Sequence, residues 1–240
     1  MKMITNKYEV IIVSYGGVAT TTFIDFVGKF KRCNDPEDKD QLKHLSAPPL
    51  FFGKQLKVIY VFGDPSIAAC SLFRRNYAFS QALKLQKGFS TPKYESLMSI
   101  ESFLSAEKDV LGFSSHFFRW LNSKTNYPVL FIDVETLFDR PDILINFIDL
   151  PPAAYEDYPV KKNRKSYLDE SIRNRMNNSV FEDLLVCQNN INLYHIKHKE
   201  KCYCNISTFY TLYLITRHFI GCFIYRNIPS LFYRINRIRK

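Results

Sequence analysis

Between an apolar run and an amphipathic one the chain reads Ser14-Tyr15-Gly16-Gly17-Val18-Ala19-Thr20-Thr21-Thr22. Two glycines at the start of a helix suit an anion: bare backbone lets it approach, and the first N–H groups of a helix face it. A phosphate or sulfate cradle built on Gly16 and Gly17 is one reading of this turn; a tight turn with a threonine cap is the other. The nucleotide-hydrolase form of such a loop needs Gly-Lys-Ser/Thr, with the lysine on the terminal phosphates and the hydroxyl on magnesium. No lysine follows Gly17 until Lys29, which argues against an ATPase.

Three further stretches carry residues able to do chemistry. His44 stands in Lys43-His44-Leu45-Ser46-Ala47-Pro48-Pro49, ahead of a second apolar run. An imidazole of near-neutral pKa suits removal of a proton from a hydroxyl, although alone His44 reads as an ordinary loop histidine. Ser71 follows the second run, and Arg164 and Lys165 belong to a basic loop, Val160 to Ser166, after a third. His116 sits on an apolar helical pattern and reads as structural. In the tail, His195, His198, Cys202 and Cys204 could hold zinc, but C-x-C is tighter than the usual ligand spacing, and the competing reading is a solvated basic loop with reduced thiols. No metal is expected.

The elements that must position these residues follow from periodicity. Val10 to Val13, Leu56 to Phe62 and Val129 to Asp133 are runs of strand length suited to burial on both faces. Phe23, Phe26, Val27 and Phe30 recur at helical spacing after the first; Pro65 opens a helix after the second. Helical patterns follow around Tyr94 to Val110 and Phe113 to Asn122, and Pro141 opens another, ended by Pro151 and Pro152. Lys31 to Lys43 is polar and reads as a loop. Such alternation predicts an α/β fold, a central parallel sheet between two helical layers, with ligands at the carboxyl ends of the strands.

At 240 residues the chain suits one α/β domain with an appendage. Composition divides it into a domain over 1–190 and a basic, aromatic-rich extension over 191–240. The extension holds nine Lys/Arg against one acid, Glu200, a charge of +8 out of the whole chain's +10. Basicity is thus mainly a property of the tail, and nucleic-acid binding does not follow for the domain. Thr208 to Tyr225 approaches spanning length, but Arg217 and His218 near its middle argue against a spanning helix. A packed C-terminal helix, an interfacial anchor on an anionic membrane and a disordered or gene-truncation-derived extension are the remaining readings. The polar start, through Lys7, lacks a signal-peptide core, so a cytoplasmic location with reduced cysteines is expected.

In order and spacing, SYGGVATTTF, KHLS, GDPSIAACS and NRKS resemble the sulfotransferases that use PAPS (3′-phosphoadenosine 5′-phosphosulfate), over roughly residues 8 to 185. The resemblance implies a fold of P-loop nucleotide-binding type, with the Gly16–Thr22 turn on the 5′-phosphosulfate, Thr20, Thr21 and Thr22 as its hydroxyl donors, and His44 as catalytic base. It further implies Ser71, Arg164 and Lys165 on the 3′-phosphate, and VLFIDVETLFDRPDILINFIDL as the third strand and following helix. Two family cations are replaced: the first loop has no Lys or Arg, and Gly63 stands where the 3′-phosphate arginine would. The expected activity is sulfuryl transfer to a hydroxyl or amine acceptor without a metal. The alternatives are a sulfotransferase-fold binding module that has lost catalysis, membrane-associated through its tail, and a nucleotide-dependent phosphotransferase.

Overall fold

The computed structural model describes residues 8–49, 55–161, 170–191 and 194–197. The chain divides into two compact units, Met1–Gln86 with Ser90–Cys202, and Lys87–Phe89 with Tyr203–Lys240. Of the second only Lys87–Phe89 are described, and they form a turn.

The first unit is mixed α/β. Its strands are β1 (Val10–Val13), β2 (Lys57–Phe62), β3 (Val129–Asp133) and β4 (Tyr194–Lys197), in the order β1-β2-β3-β4. The first three are parallel, with Val10 opposite Lys57 and Val58 opposite Val129. β4 runs antiparallel to β3, a departure from the parallel expectation, and lies beyond residue 190, where composition placed the domain's edge. Consecutive residues of β1 to β3 are buried, so both faces of the sheet are covered.

The helices are α1 (Thr20–Gly28), α2 (Pro65–Arg74), α3 (Ala78–Leu85), α4 (Ile100–Ser105), α5 (Phe113–Asn122), α6 (Val134–Asp139), α7 (Pro141–Phe147), α8 (Glu170–Ser179) and α9 (Glu182–Asn189). Prolines at the first turns of α2 and α7 cost no hydrogen bond. The pattern over Tyr94 to Val110 resolves into a 3₁₀ turn, Glu95–Leu97, and the short α4, which Ser99 caps through the Ser102 N–H.

The polar stretch after α1 does more than connect. Cys33 forms a parallel bridge with Val10 on the edge of β1 away from β2. Beyond it the Asn34 carboxamide acts as a strand, accepting from the Ile12 N–H at 2.8 Å and donating to the Ile12 carbonyl at 3.1 Å. The chain therefore goes from β1 to one side at Cys33 and then to the other side at β2. That reversal makes the carboxyl ends of β1 and β2 a topological switch point, the place where open α/β sheets form a ligand crevice.

Asn34 is 1% exposed. Asn34→Ala strands both polar groups of Ile12, each at roughly 1–3 kcal/mol. We expect a loss of about 2–4 kcal/mol in urea unfolding, read from the shift in midpoint at constant m-value.

Candidate functional site at the switch point

The turn after β1 is held by Tyr15, which is fully buried. Its hydroxyl donates to the Gly63 carbonyl and accepts from the Gly63 N–H at 2.9 Å and from Gln188 Nε2 at 3.3 Å. Its ring stacks on Phe113 of α5 at 4.5 Å, and its carbonyl accepts from Gln81 Nε2 at 2.9 Å. The two glycines are required here. Gly16 and Gly17 have φ of +103° and +76°, and a Cβ on Gly17 would lie 2.8 Å from the Ala68 Cα. Ala19 continues the left-handed turn at φ 53°, and α1 starts with no side-chain cap.

The three threonines separate in role. Thr20 is buried and pairs with Ser14 through their hydroxyls at 2.6 Å, so it ties the turn together. Thr21 and Thr22 are exposed. Thr21 Oγ1 accepts from Lys43 Nζ, which also donates to the Pro36 carbonyl at 2.9 Å. A lysine from another segment thus stands at the first turn of α1, where the loop's own sequence has none. Burial lowers the pKa of Lys43; nearby Asp38 opposes this, while Lys84 and Arg75 add to it. Lys84 itself pairs with Asp38 at 2.5 Å.

His44 follows directly. Its Nδ1–H donates to the Ser14 carbonyl at 2.9 Å, which leaves the Nε2 lone pair unprotonated. Burial first, then Lys84 and Lys43, push its pKa down to about 4, against opposing contributions from Asp38 and the Ser14 bond. The segment carrying it is clamped by α5: His116 Nε2 and Trp120 Nε1 both donate to the Leu45 carbonyl at 2.9 Å, and Arg119 Nε donates to the Ser46 carbonyl at 2.9 Å. Tyr60 of β2 donates to His116 Nδ1 at 2.7 Å. His116 is structural, with burial lowering its pKa to about 3.

Beside the turn, Asp64 caps α2 through the N–H groups of Ser66 and Ile67 and receives Arg173 of α8 on its other oxygen, at 2.9 and 2.6 Å. Asp133 caps α6 in the same way. With Gly63, Asn177 and Gln188 these residues line a crevice of ≈ 380 Å³ over the ends of β2 and β3. Position 63 has no room for the side chain the resemblance would place there, because a Cβ would meet Val134 Cγ1 at 2.8 Å and Val18 Cγ1 at 3.3 Å.

The structure brings Gly16, Gly17, Thr20, Thr21, Thr22 and His44 to one end of the sheet. Ser71 lies half-buried in the second turn of α2 and does not line the crevice. Arg164 and Lys165 lie outside the described residues, as do His198, Cys202, Cys204 and the tail. His195 is on β4, exposed, with its ring 6.4 Å from that of Phe131. Among the described residues no group of His, Cys, Asp and Glu could hold a metal, and no helix is long and apolar enough to cross a membrane. Lys43 was visible in sequence as the neighbour of His44; nothing there pointed to Tyr15, Arg173 or Gln188. No protein-family model, curated protein or solved structure matches the chain.

His44 and His116 have pKa values below the ordinary 6.5, at about 4 and about 3, with desolvation the first cause in each. The unfolded chain therefore binds protons that the folded one refuses, so their contribution is fully present above pH 6.5 and is lost as pH falls through the folded values. His44→Asn is expected to flatten the decline in stability between pH 6.5 and 4, measured by urea midpoints across that range.

Proposed function

We propose that the chain is a group-transfer enzyme of sulfotransferase type, moving a sulfuryl group from a nucleotide 5′-phosphosulfate to a hydroxyl or amine acceptor. The observation that carries the reading is the meeting of Lys43 Nζ and Thr21 at the first turn of α1, with His44 the next residue along. The sequence resemblance names PAPS as donor and a three-layer fold of P-loop nucleotide-binding type; the switch-point topology and the glycine turn support both.

In this reading the donor's 5′-phosphosulfate lies against the exposed Thr21 and Thr22 hydroxyls, the positive end of α1 and Lys43. His44 Nε2, neutral near pH 7, takes the proton of the acceptor as its oxygen or nitrogen bonds to sulfur. The bond from sulfur to the bridging phosphate oxygen breaks, and the charge that develops on the leaving phosphate falls to Lys43 and the helix. Positioning and charge stabilisation carry such a transfer.

A second reading, a binding module without turnover, draws on one observation. Val18 and Val134 fill the space beside Gly63, so the chain lacks the guanidinium of the resemblance at that strand end.

Two measurements test the assignment. Adenine nucleotides with a single 5′-phosphate, or with 3′- and 5′-phosphates, should raise Tm by mass action more than ATP with magnesium does. Lys43→Ala should weaken that binding by about ten-fold or more, the scale of a lost charge-assisted hydrogen bond; an unchanged affinity removes the anion seat. With the sulfated nucleotide and a panel of phenols, sugars and amines, His44→Ala should lower turnover by ~10²–10⁴-fold while nucleotide affinity holds. Binding without turnover in the unaltered protein, across that panel, selects the second reading.

A further inference from the structure

We propose that Asp38 is the positioning residue of the transfer: its carboxylate fixes Lys43 and His44 together at the end of β1, and Lys84 of α3 fixes the carboxylate. The inference rests on the reading of Lys43 as the cation and His44 as the base of that transfer.

Lys43 and His44 are held from two sides. On one side is Ser14, the residue after β1. Its N–H donates to the Lys43 carbonyl at 3.0 Å and its carbonyl accepts from His44 Nδ1 at 2.9 Å, so both its peptide groups are given to these two residues. On the other side is Asp38, whose Oδ1 accepts from the Lys43 N–H at 3.1 Å. Both peptide groups of Lys43 are therefore committed, one to the strand end and one to a side chain, and turning the pair away from the sheet breaks one bond or the other. Lys43 Nζ adds a tie to the Pro36 carbonyl at 2.9 Å, two residues before Asp38.

The carboxylate is itself built in. The Asp38 side chain is 7% exposed, and its Oδ2 accepts from Lys84 Nζ at 2.5 Å. Its backbone is left-handed, at φ 62°, a conformation that aspartate, asparagine and glycine take far more readily than other residues. The Asp38 N–H donates to the Asp35 carbonyl at 3.0 Å, and its own carbonyl accepts from the Gln41 N–H at 3.1 Å. An ion pair between two mobile ends contributes little; here one end is nearly buried with its other oxygen in use, so Lys84 sets the direction of the carboxylate.

The charges agree with the geometry. Burial lowers the pKa of Lys43 and of His44; Asp38 favours the charged form of each and Lys84 disfavours it, while Asp25 and Arg75 act on Lys43 in opposite senses and Lys43 itself acts on His44. One carboxylate thus reaches the proposed cation and the proposed base alike. A transfer in which the base meets the acceptor while the cation meets the leaving phosphate depends on the separation that this anchor keeps.

The left-handed φ selects the variants. Asp38→Asn keeps that conformation and an oxygen for the Lys43 N–H, whereas Asp38→Gly keeps the conformation alone. With the sulfated nucleotide and the panel of phenols, sugars and amines, Asp38→Asn should hold kcat within about three-fold and Asp38→Gly should lower it by ~10–10²-fold. Affinity for adenosine 3′,5′-bisphosphate, read by calorimetry, should weaken in neither. Lys84→Met should lower kcat in the unaltered chain but add nothing to Asp38→Gly, because it acts through the carboxylate. By NMR the His44 imidazole should titrate lower in Asp38→Asn and higher in Lys84→Met, whereas a loosened loop would move it upward in both. Unchanged turnover in Asp38→Gly, a matching loss of bisphosphate affinity, or an upward move of His44 in Asp38→Asn overturns this inference while the transfer stands. No turnover by the unaltered chain across the panel overturns the transfer, and this inference with it.

Discussion

The site depends on the bond between Tyr15 and the backbone of Gly63. β1 and β2 end side by side, and the turn after β1 must leave sharply enough for α1 to start over the sheet's end. A buried phenol that both donates to and accepts from one residue's peptide groups fixes that departure, because releasing it would leave the Gly63 N–H and carbonyl and the phenol unpaired in the interior. The consequence reaches position 63. A residue that offers both its peptide groups to a side chain, with Val18 and Val134 closing over its Cα, has become part of the packing and has neither peptide group left for a ligand.

Positive charge at the proposed anion seat therefore comes from outside the turn. Lys43 arrives from the segment that α5 grips through the Leu45 and Ser46 carbonyls, and the same grip sets His44 against the Ser14 carbonyl. Tyr60, His116 and Leu45 make a continuous chain of hydrogen bonds from the middle of β2 to the residue beside His44. A base and a cation on adjacent residues of one clamped segment keep a fixed separation, which is what an in-line transfer needs from its positioning groups.

Much of this scaffold was legible in the sequence because period and punctuation are local. β1 and β3 fall on the apolar runs that mark them, and α2 and α7 start at their prolines. Residues 31–43 read as a loop, since one bridge at Cys33 and a carboxamide acting as a strand leave no alternating pattern. β4 was missed for a related reason: Tyr-His-Ile-Lys is four residues long, lies in basic surroundings, and finds its partner far back in the chain, at β3. At the site, the glycines, threonines and His44 could be read from type and order. Gln188 and Arg173 could not, because nothing about α8 or α9 shows that they return to the end of β2.

In the proposed reading, the electrostatics around Lys43 favour an anionic occupant. Lys43 is drawn out of water, which disfavours its charge, and the charges of Lys84 and Arg75 disfavour it further. Asp38 and Asp25 relieve this in part, although the Asp38 carboxylate also holds Lys84. A folded state that keeps a lysine against a threonine hydroxyl at a helix's positive end, with two more cations close enough to be felt, carries an electrostatic cost in the absence of an anion. In the proposed reading a bound phosphate or sulfate opposes each of those contributions at once: it favours the lysine's charged form, pairs with the helix terminus, and screens the neighbouring cations from one another. His44 is kept neutral first by its burial and then by Lys84 and Lys43, so its Nε2 is able to receive a proton.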